Sequence, residues 1–361
     1  MKVSPSRLGL CPNPVGTKSQ PANRSRSFTD SSMLWMTVVA VLLAIAPASA
    51  DEPAASLSAG FRKFAISYKA ADEERRRDVF LWYPSAKEAQ RHDYGGQIGL
   101  VSVNADVAKG SHPLILFSHG FLGTGDQTIF LTEVFARQGY IVASLNHADS
   151  LSQKRTKPIE SPKFGDAKNW TDQKFRDRRD DMLALLDHLL ELNGKNETYL
   201  YEHLQANRIG ACGHSLGGYT VLGLAGAWNS WRDDRIKAVL AMSPYSMPFL
   251  TQGSIAQIKV PTMIQGGTRD FGITPFQPLI YNKLTAPKYL LVLKNETHLG
   301  WTNLISLGKT TVEVVQDGNA QLITDYSVAF FERHLRLKEG QETKLLQQKH
   351  PRLDSYRHDE K

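Results

Sequence analysis

Three residue types that together perform acyl transfer occur in the order Ser215, Asp270, His298, and each follows a short apolar run. A serine hydroxyl is a weak nucleophile at neutral pH. It needs a neutral imidazole to take its proton, and the imidazole needs a carboxylate to hold its tautomer and stabilise the imidazolium. Ser215 lies in Gly213-His214-Ser215-Leu216-Gly217, a G-x-S-x-G match. A bare match of this kind is often a glycine-rich turn. Here Ile209 to Cys212 reads as a buried strand and Gly217 to Leu224 as a helix of small residues. A strand that turns at once into a helix leaves the central serine standing above the strand end.

Asp270 ends the stretch Val260 to Asp270, an apolar strand running into Gly266-Gly267. The other reading of such an aspartate is a turn or cap residue. No carboxylate follows Ser243-Pro244-Tyr245, so that second acid position is empty. His298 follows the strand Tyr289 to Leu293, whereas His334 falls in a helix and His350 and His358 in a charged tail. Two backbone N–H groups are expected to receive the oxyanion. Leu216 supplies one, directly after the nucleophile, and Phe121 supplies the other from the loop Phe117 to Gly123. His119 and His214 are read as braces for the two loops. Tyr245, Phe271 and Trp301 flank these loops, and either wall an apolar substrate pocket or belong to the core.

These groups need a scaffold that gathers strand ends on one side. Leu114 to Ser118, Tyr140 to Leu145, Ile209 to Cys212, Ile236 to Met242, Val260 to Gln265 and Tyr289 to Leu293 read as buried strands. Thr128 to Gln138, Phe175 to Leu192 and Ile323 to Leu335 read as helices. The alternation predicts a mostly parallel α/β sheet with helices on both faces, and in such sheets ligands bind at the carboxyl ends of the strands. Residues 150–174 carry few large apolar side chains and read as a lid-like insertion. Asp51 to Gly60 reads as loose and residues 336–361 as a charged, solvated tail.

The chain has 361 residues, 41% hydrophobic and 22% charged, enough for a large core. Its net charge is +7. Lys2, Arg7, Lys18, Arg24 and Arg26 against Asp30 give the first 50 residues +4, which leaves +3 for the rest. The excess is mostly in the leader, so no nucleic-acid partner is expected. Leu34 to Ala46 is an uncharged apolar run ending in Ala48-Ser49-Ala50. This is the form of a secretory signal peptide over residues 1–50, cleaved after Ala50, and it predicts a secreted or periplasmic protein with no stable membrane insertion after processing. Cys11 lies in that leader, so the mature chain keeps only Cys212 and no internal disulfide.

Several pieces together resemble the α/β-hydrolase superfamily, and within it the dienelactone-hydrolase-like bacterial esterases akin to platelet-activating-factor acetylhydrolase. They are Leu81-Trp82-Tyr83-Pro84, Phe117-Ser118-His119-Gly120, Gly213 to Gly218, Gly267 to Asp270 with Thr274-Pro275, and Thr297-His298. The resemblance runs from about Phe61 to Leu335 and implies an α/β-hydrolase domain over residues 51–335. It implies a triad of Ser215, Asp270 and His298, an oxyanion hole from Phe121 and Leu216, a small-molecule or lipid-like ester substrate, and no metal or organic cofactor. Dienelactone hydrolases proper carry cysteine at the elbow where this chain has Ser215, so dienelactone is not the expected substrate. An amidase, a thioesterase or an acyltransferase would use the same triad, and a non-catalytic binding protein could keep the fold.

Overall fold

The computed structural model describes residues 57–361 apart from 155–157, 160, 253, 286, 307, 317 and 338–342. Contacts divide the chain into Met1–Asp51 and Glu52–Lys361, and the described residues all lie in the second unit. The leader therefore lies outside them.

In chain order the strands are β1 (Ser58–Ala70), β2 (Glu73–Ser85), β3 (Gln90–Asp93), β4 (Ile98–Val103), β5 (His112–Ser118), β6 (Ile141–Leu145), β7 (Leu204–His214), β8 (Ile236–Met242), β9 (Thr262–Gly267), β10 (Lys288–Leu293) and β11 (Leu353–Asp359). The helices are α1 (Ile129–Arg137), α2 (Arg176–Gly194), α3 (Leu216–Leu222), α4 (Met247–Thr251), α5 (Gln277–Lys283), α6 (Thr311–Val314) and α7 (Gly318–Phe331). One sheet holds the strands in the order β11-β10-β9-β8-β7-β5-β6-β2-β1-β4-β3. From β10 through β6 every pairing is parallel. Antiparallel pairs finish both ends, β10 with β11 on one side and β6 with β2, then β2 with β1, on the other.

The middle strands are apolar on both faces because helices cover both. In β5, Leu114 and Leu116 join a core with Met182, Leu185, Leu186 and Leu189 of α2. The alternate residues Ile115 and Phe117 join a second core with Phe130 and Phe135 of α1 and Ile323, Phe330 and Phe331 of α7. A period of two sends successive side chains to opposite faces, so an unbroken apolar run serves two cores at once.

Two readings of the sequence need correction. Ser58 to Gly60, read as loose, open β1 and pair with β2 across its whole length. The region after Arg336, read as a solvated tail, contains β11, which pairs with β10 from Lys288 to Leu293. Leu346 and Leu353 are fully buried against the second core. β11 is polar because it lies at the sheet edge with one side to water, so its composition hides its pairing. No described helix is long and apolar enough to cross a membrane.

Candidate active site

The site begins with the exit of β7. Ser215 has φ +55° and ψ −116°, a region L-residues rarely occupy. Its N–H bonds Met242 O at 2.9 Å, which ties the turn to the end of the neighbouring strand. The flanking glycines are dictated by space. A Cβ at Gly213 would stand 2.4 Å from Gly217 O, and one at Gly217 would stand 1.9 Å from Ser118 O. No larger residue fits where the helix start passes so close to other backbone.

Asp270 lies three residues past β9, in a turn closed by its own N–H on Gly267 O at 3.0 Å. His298 lies five residues past β10. The Arg269 N–H bonds Glu296 O at 2.8 Å, so the two loops are sewn together. The side chains meet in line: His298 Nε2 is 2.8 Å from Ser215 Oγ, and His298 Nδ1 is 2.8 Å from Asp270 Oδ2. Asp270 is 5% exposed and Ser215 9%, while the His298 side chain keeps 34%. The acid is thus desolvated and the imidazole edge stays open to a reactant.

Ser243 completes the group, and sequence reasoning passed over it. Its hydroxyl donates to Asp270 Oδ2 and lies 3.1 Å from His298 Nδ1. It directly follows β8, in the stretch Ser243-Pro244-Tyr245 that no carboxylate follows. A polar residue at a strand end beside the triad strands was the available signal.

The two histidines read as braces are fully engaged and buried. His214 Nδ1 accepts from Gln127 Nε2 at 3.0 Å, and its Nε2–H donates to His298 O at 2.8 Å. Burial, reinforced by the neighbouring His298, lowers its pKa to about 3, so it stays neutral. His119 donates from Nδ1 to Gly120 O at 2.7 Å and accepts the His147 N–H on Nε2 at 3.0 Å. Burial and then Arg178 hold it well below the ordinary histidine range. Cys212 is fully buried and desolvation pushes its thiol up, away from the reactive thiolate.

Leu216 opens α3 directly after Ser215, and Phe121 follows Gly120 in the loop after β5. Among the described residues neither backbone N–H has an acceptor. The Gly120 backbone presses on the site, since a Cβ there would lie 3.1 Å from His214 Nδ1 and 3.4 Å from Ser215 Cβ.

The three aromatic residues offered as pocket walls separate. Trp301 is fully buried, donates its indole N–H to Gln265 Oε1 at 2.8 Å and stacks on His214 with ring centres 6.3 Å apart. It is core and walls no pocket, because the loop after His298 turns it inward. Phe271 is 78% exposed beside Asp270. Tyr245 is buried behind the nucleophile, with its N–H on Ser215 O at 3.0 Å. Its ring meets Phe164 at 4.7 Å and Trp170 at 5.0 Å, and its hydroxyl donates to Phe164 O. Phe121 meets Phe164 edge-on at 6.1 Å. The insertion after Ser150 therefore lends Phe164 and Trp170 to the aromatic group beside the site. It is held there by Tyr219 Oη on Lys174 O at 3.0 Å and Trp231 Nε1 on Asp172 O at 2.8 Å. No cluster of three or more metal-binding side chains occurs among the described residues.

Residues 165–339 match the family described as PETase, PET hydrolase-like. That span contains Ser215, Asp270 and His298 and stops short of Phe121. No curated protein matches the chain. Among solved structures, a ferulic acid esterase from Streptomyces cinnamoneus superposes with a TM-score of 0.57 at 20% identity, over 83% of this chain and 96% of that one.

Proposed function

We propose that the chain, which has the fold of an esterase and a stretch matching a PET hydrolase-like family, is an α/β-hydrolase acting as a serine carboxylic-ester hydrolase through an acyl-enzyme. One observation carries this reading: the unbroken line Ser215 Oγ, His298 Nε2, His298 Nδ1, Asp270 Oδ2, with 2.8 Å at each hydrogen bond. Ser215 Oγ attacks the ester carbonyl as its proton passes to His298 Nε2. The tetrahedral oxyanion accepts hydrogen bonds from the Phe121 and Leu216 N–H groups. Collapse breaks the ester C–O bond, and His298 returns the proton to the departing alkoxide. Water, deprotonated by the same imidazole, then attacks the acyl-serine and releases the carboxylic acid and Ser215.

The acyl group is proposed to be aromatic. Phe121, Phe164 and Tyr245 cluster beside the nucleophile, and the matched esterase is named for an aromatic acid. The insertion over residues 150–174 is proposed to act as a fixed wall of this region. Export with cleavage after Ala50 is proposed from the leader sequence.

Replacement of Ser215 by alanine tests the core of the reading. Hydrolysis of short p-nitrophenyl esters is expected to fall on the order of 10⁴-fold or more, and labelling by a fluorophosphonate probe to vanish, with circular dichroism unchanged. A Ser215→Ala protein as fast as the wild type overturns it. A panel pairing benzoate and cinnamate esters with aliphatic esters of equal leaving group tests the acyl preference, and equal kcat/KM across the panel removes it.

A further inference from the structure

Beneath the loop that carries Phe121 lies a buried arginine that the sequence reading did not single out. Arg178 sits on the inward stripe of α2, four residues before Met182, and is fully buried. Every N–H of its guanidinium is occupied. Nε and Nη2 reach the two oxygens of Asp149 at 3.1 and 2.7 Å, a bidentate pair. The rest go to His119 O at 2.6 Å, Gly120 O at 3.1 Å and Ser118 Oγ at 3.5 Å. A guanidinium offers five donors in a rigid plane, so two adjacent carbonyls and a carboxylate fix it and are fixed by it.

The geometry of one peptide follows. Gly120 O also receives His119 Nδ1–H at 2.7 Å and the Gly123 N–H at 3.0 Å, while the Gly120 N–H goes to Gln127 Oε1 at 3.0 Å. In a trans peptide the carbonyl and the next N–H point in opposite directions. With Gly120 O turned to Arg178, the Phe121 N–H is turned away from Arg178. It has no acceptor among the described residues. Glycine at 120 leaves this peptide free to rotate, and a rotated peptide would present a carbonyl where an oxyanion needs a donor.

We propose that Arg178, clamped by Asp149, is the positioning residue that locks the Gly120–Phe121 peptide with its N–H available to the oxyanion. This rests on the esterase reading of the site. Arg178 touches no substrate and acts only through the loop. A lysine keeps the charge but cannot bridge two carbonyls and a carboxylate in one plane.

The experiment compares wild type with Arg178→Lys. The variant is expected to lose about 10²-fold in kcat, the size of losing one oxyanion donor, with KM changed less than about three-fold. Affinity for phenylboronic acid, which forms a tetrahedral anion on the serine, is expected to fall by a similar factor. Binding of a product carboxylate is expected to hold. A folded Arg178→Lys with wild-type kcat and boronate affinity overturns the proposal, and so does a loss of kcat with boronate affinity intact. Should Arg178→Lys fail to fold, Asp149→Asn read by the same kcat and boronate measurements decides in the same way. The Ser215→Ala control separates the two claims: active Ser215→Ala removes the esterase reading, whereas inactive Ser215→Ala with unaffected Arg178→Lys and Asp149→Asn removes only this one.

Discussion

Ser243 Oγ and His298 Nδ1 lie 3.1 Å apart and converge on the same oxygen of Asp270, Oδ2. The acid is therefore held by a strand end on one side and by the base on the other. Ser243→Ala removes one charge-assisted hydrogen bond, worth about 1.5–3 kcal/mol where it is fully expressed. Part of it falls on the transition state, where the imidazolium forms, and kcat/KM is expected to drop about ten-fold with little change in melting temperature. An unaltered kcat/KM would show Ser243 to be a bystander. The same closeness predicts that Asp270→Asn combined with Ser243→Asp regains at least about ten-fold over Asp270→Asn alone, because a carboxylate on β8 comes within reach of His298 Nδ1; ten-fold corresponds to about 1.4 kcal/mol.

His214 predicts how stability changes on the acid side. Its pKa is about 3 in the folded protein, against an ordinary value of 6.5. Between those values the unfolded chain binds a proton that the folded protein refuses. Stability therefore falls as the pH drops below about 6.5, by up to about 1.4 kcal/mol per pH unit for this residue. His119 and His147, both buried and both shifted down, add to the slope in the same direction. In urea unfolding at a series of pH values, His214→Asn is expected to reduce the slope between about pH 4 and 6 by one proton. An identical slope in both proteins contradicts the assignment.

Trp301 and Phe271 flank the site and should respond oppositely to substitution. Trp301→Phe leaves Gln265 Oε1 without its 2.8 Å donor inside the core. It is expected to cost about 1–3 kcal/mol of stability while leaving the ranking of acyl groups intact. Phe271→Ala removes a ring that is 78% exposed, and stability should stay within about 0.5 kcal/mol of wild type. Thermal melts and an ester panel on both variants decide this, and a changed acyl ranking in Trp301→Phe would restore it to the pocket.

Removing residues 344–361 should damage the fold. Leu346 and Leu353 leave the core, each worth roughly 2–5 kcal/mol by analogy with truncation to alanine, and β10 becomes an open edge. Tyr326 and Tyr289 also lose partners, Gln348 O at 2.8 Å and Glu360 Oε1 at 2.7 Å. Soluble yield should collapse, or the melting temperature should fall by about 10 °C or more. Full stability in the shortened chain would mean that β11 contributes nothing.

The sequence was most legible where one side chain's environment repeats along a strand. Apolar runs covered on both faces mark β5 to β10, and the polar residues within five positions of the ends of β7, β9 and β10 then stand out as Ser215, Asp270 and His298. The hidden parts follow other rules. Asp78 to Pro84 of β2 reads as a strand from its aromatic and β-branched residues, but β1 and the start of β2 carry Arg62, Lys63 and Glu73 to Arg77 among their apolar residues, because that end of the sheet is reached by solvent. Arg178 lies on the buried side of α2 among apolar residues, where a guanidinium requires a buried carboxylate, and the distant Asp149 that supplies it cannot be paired with it from sequence. For Trp301 the sequence leaves pocket wall and core equally open, because which way a residue next to a site loop points depends on the loop's path.

The reacting line joins residues 28 and 83 positions apart in the chain. Its members ride on strands linked through crossovers, so no local segment can assemble any two of them. Contacts of such long sequence separation close late during folding. Recovery of turnover after dilution from denaturant should then lag behind the return of helical signal, which makes enzymatic activity a clock for the final docking of the parallel strands.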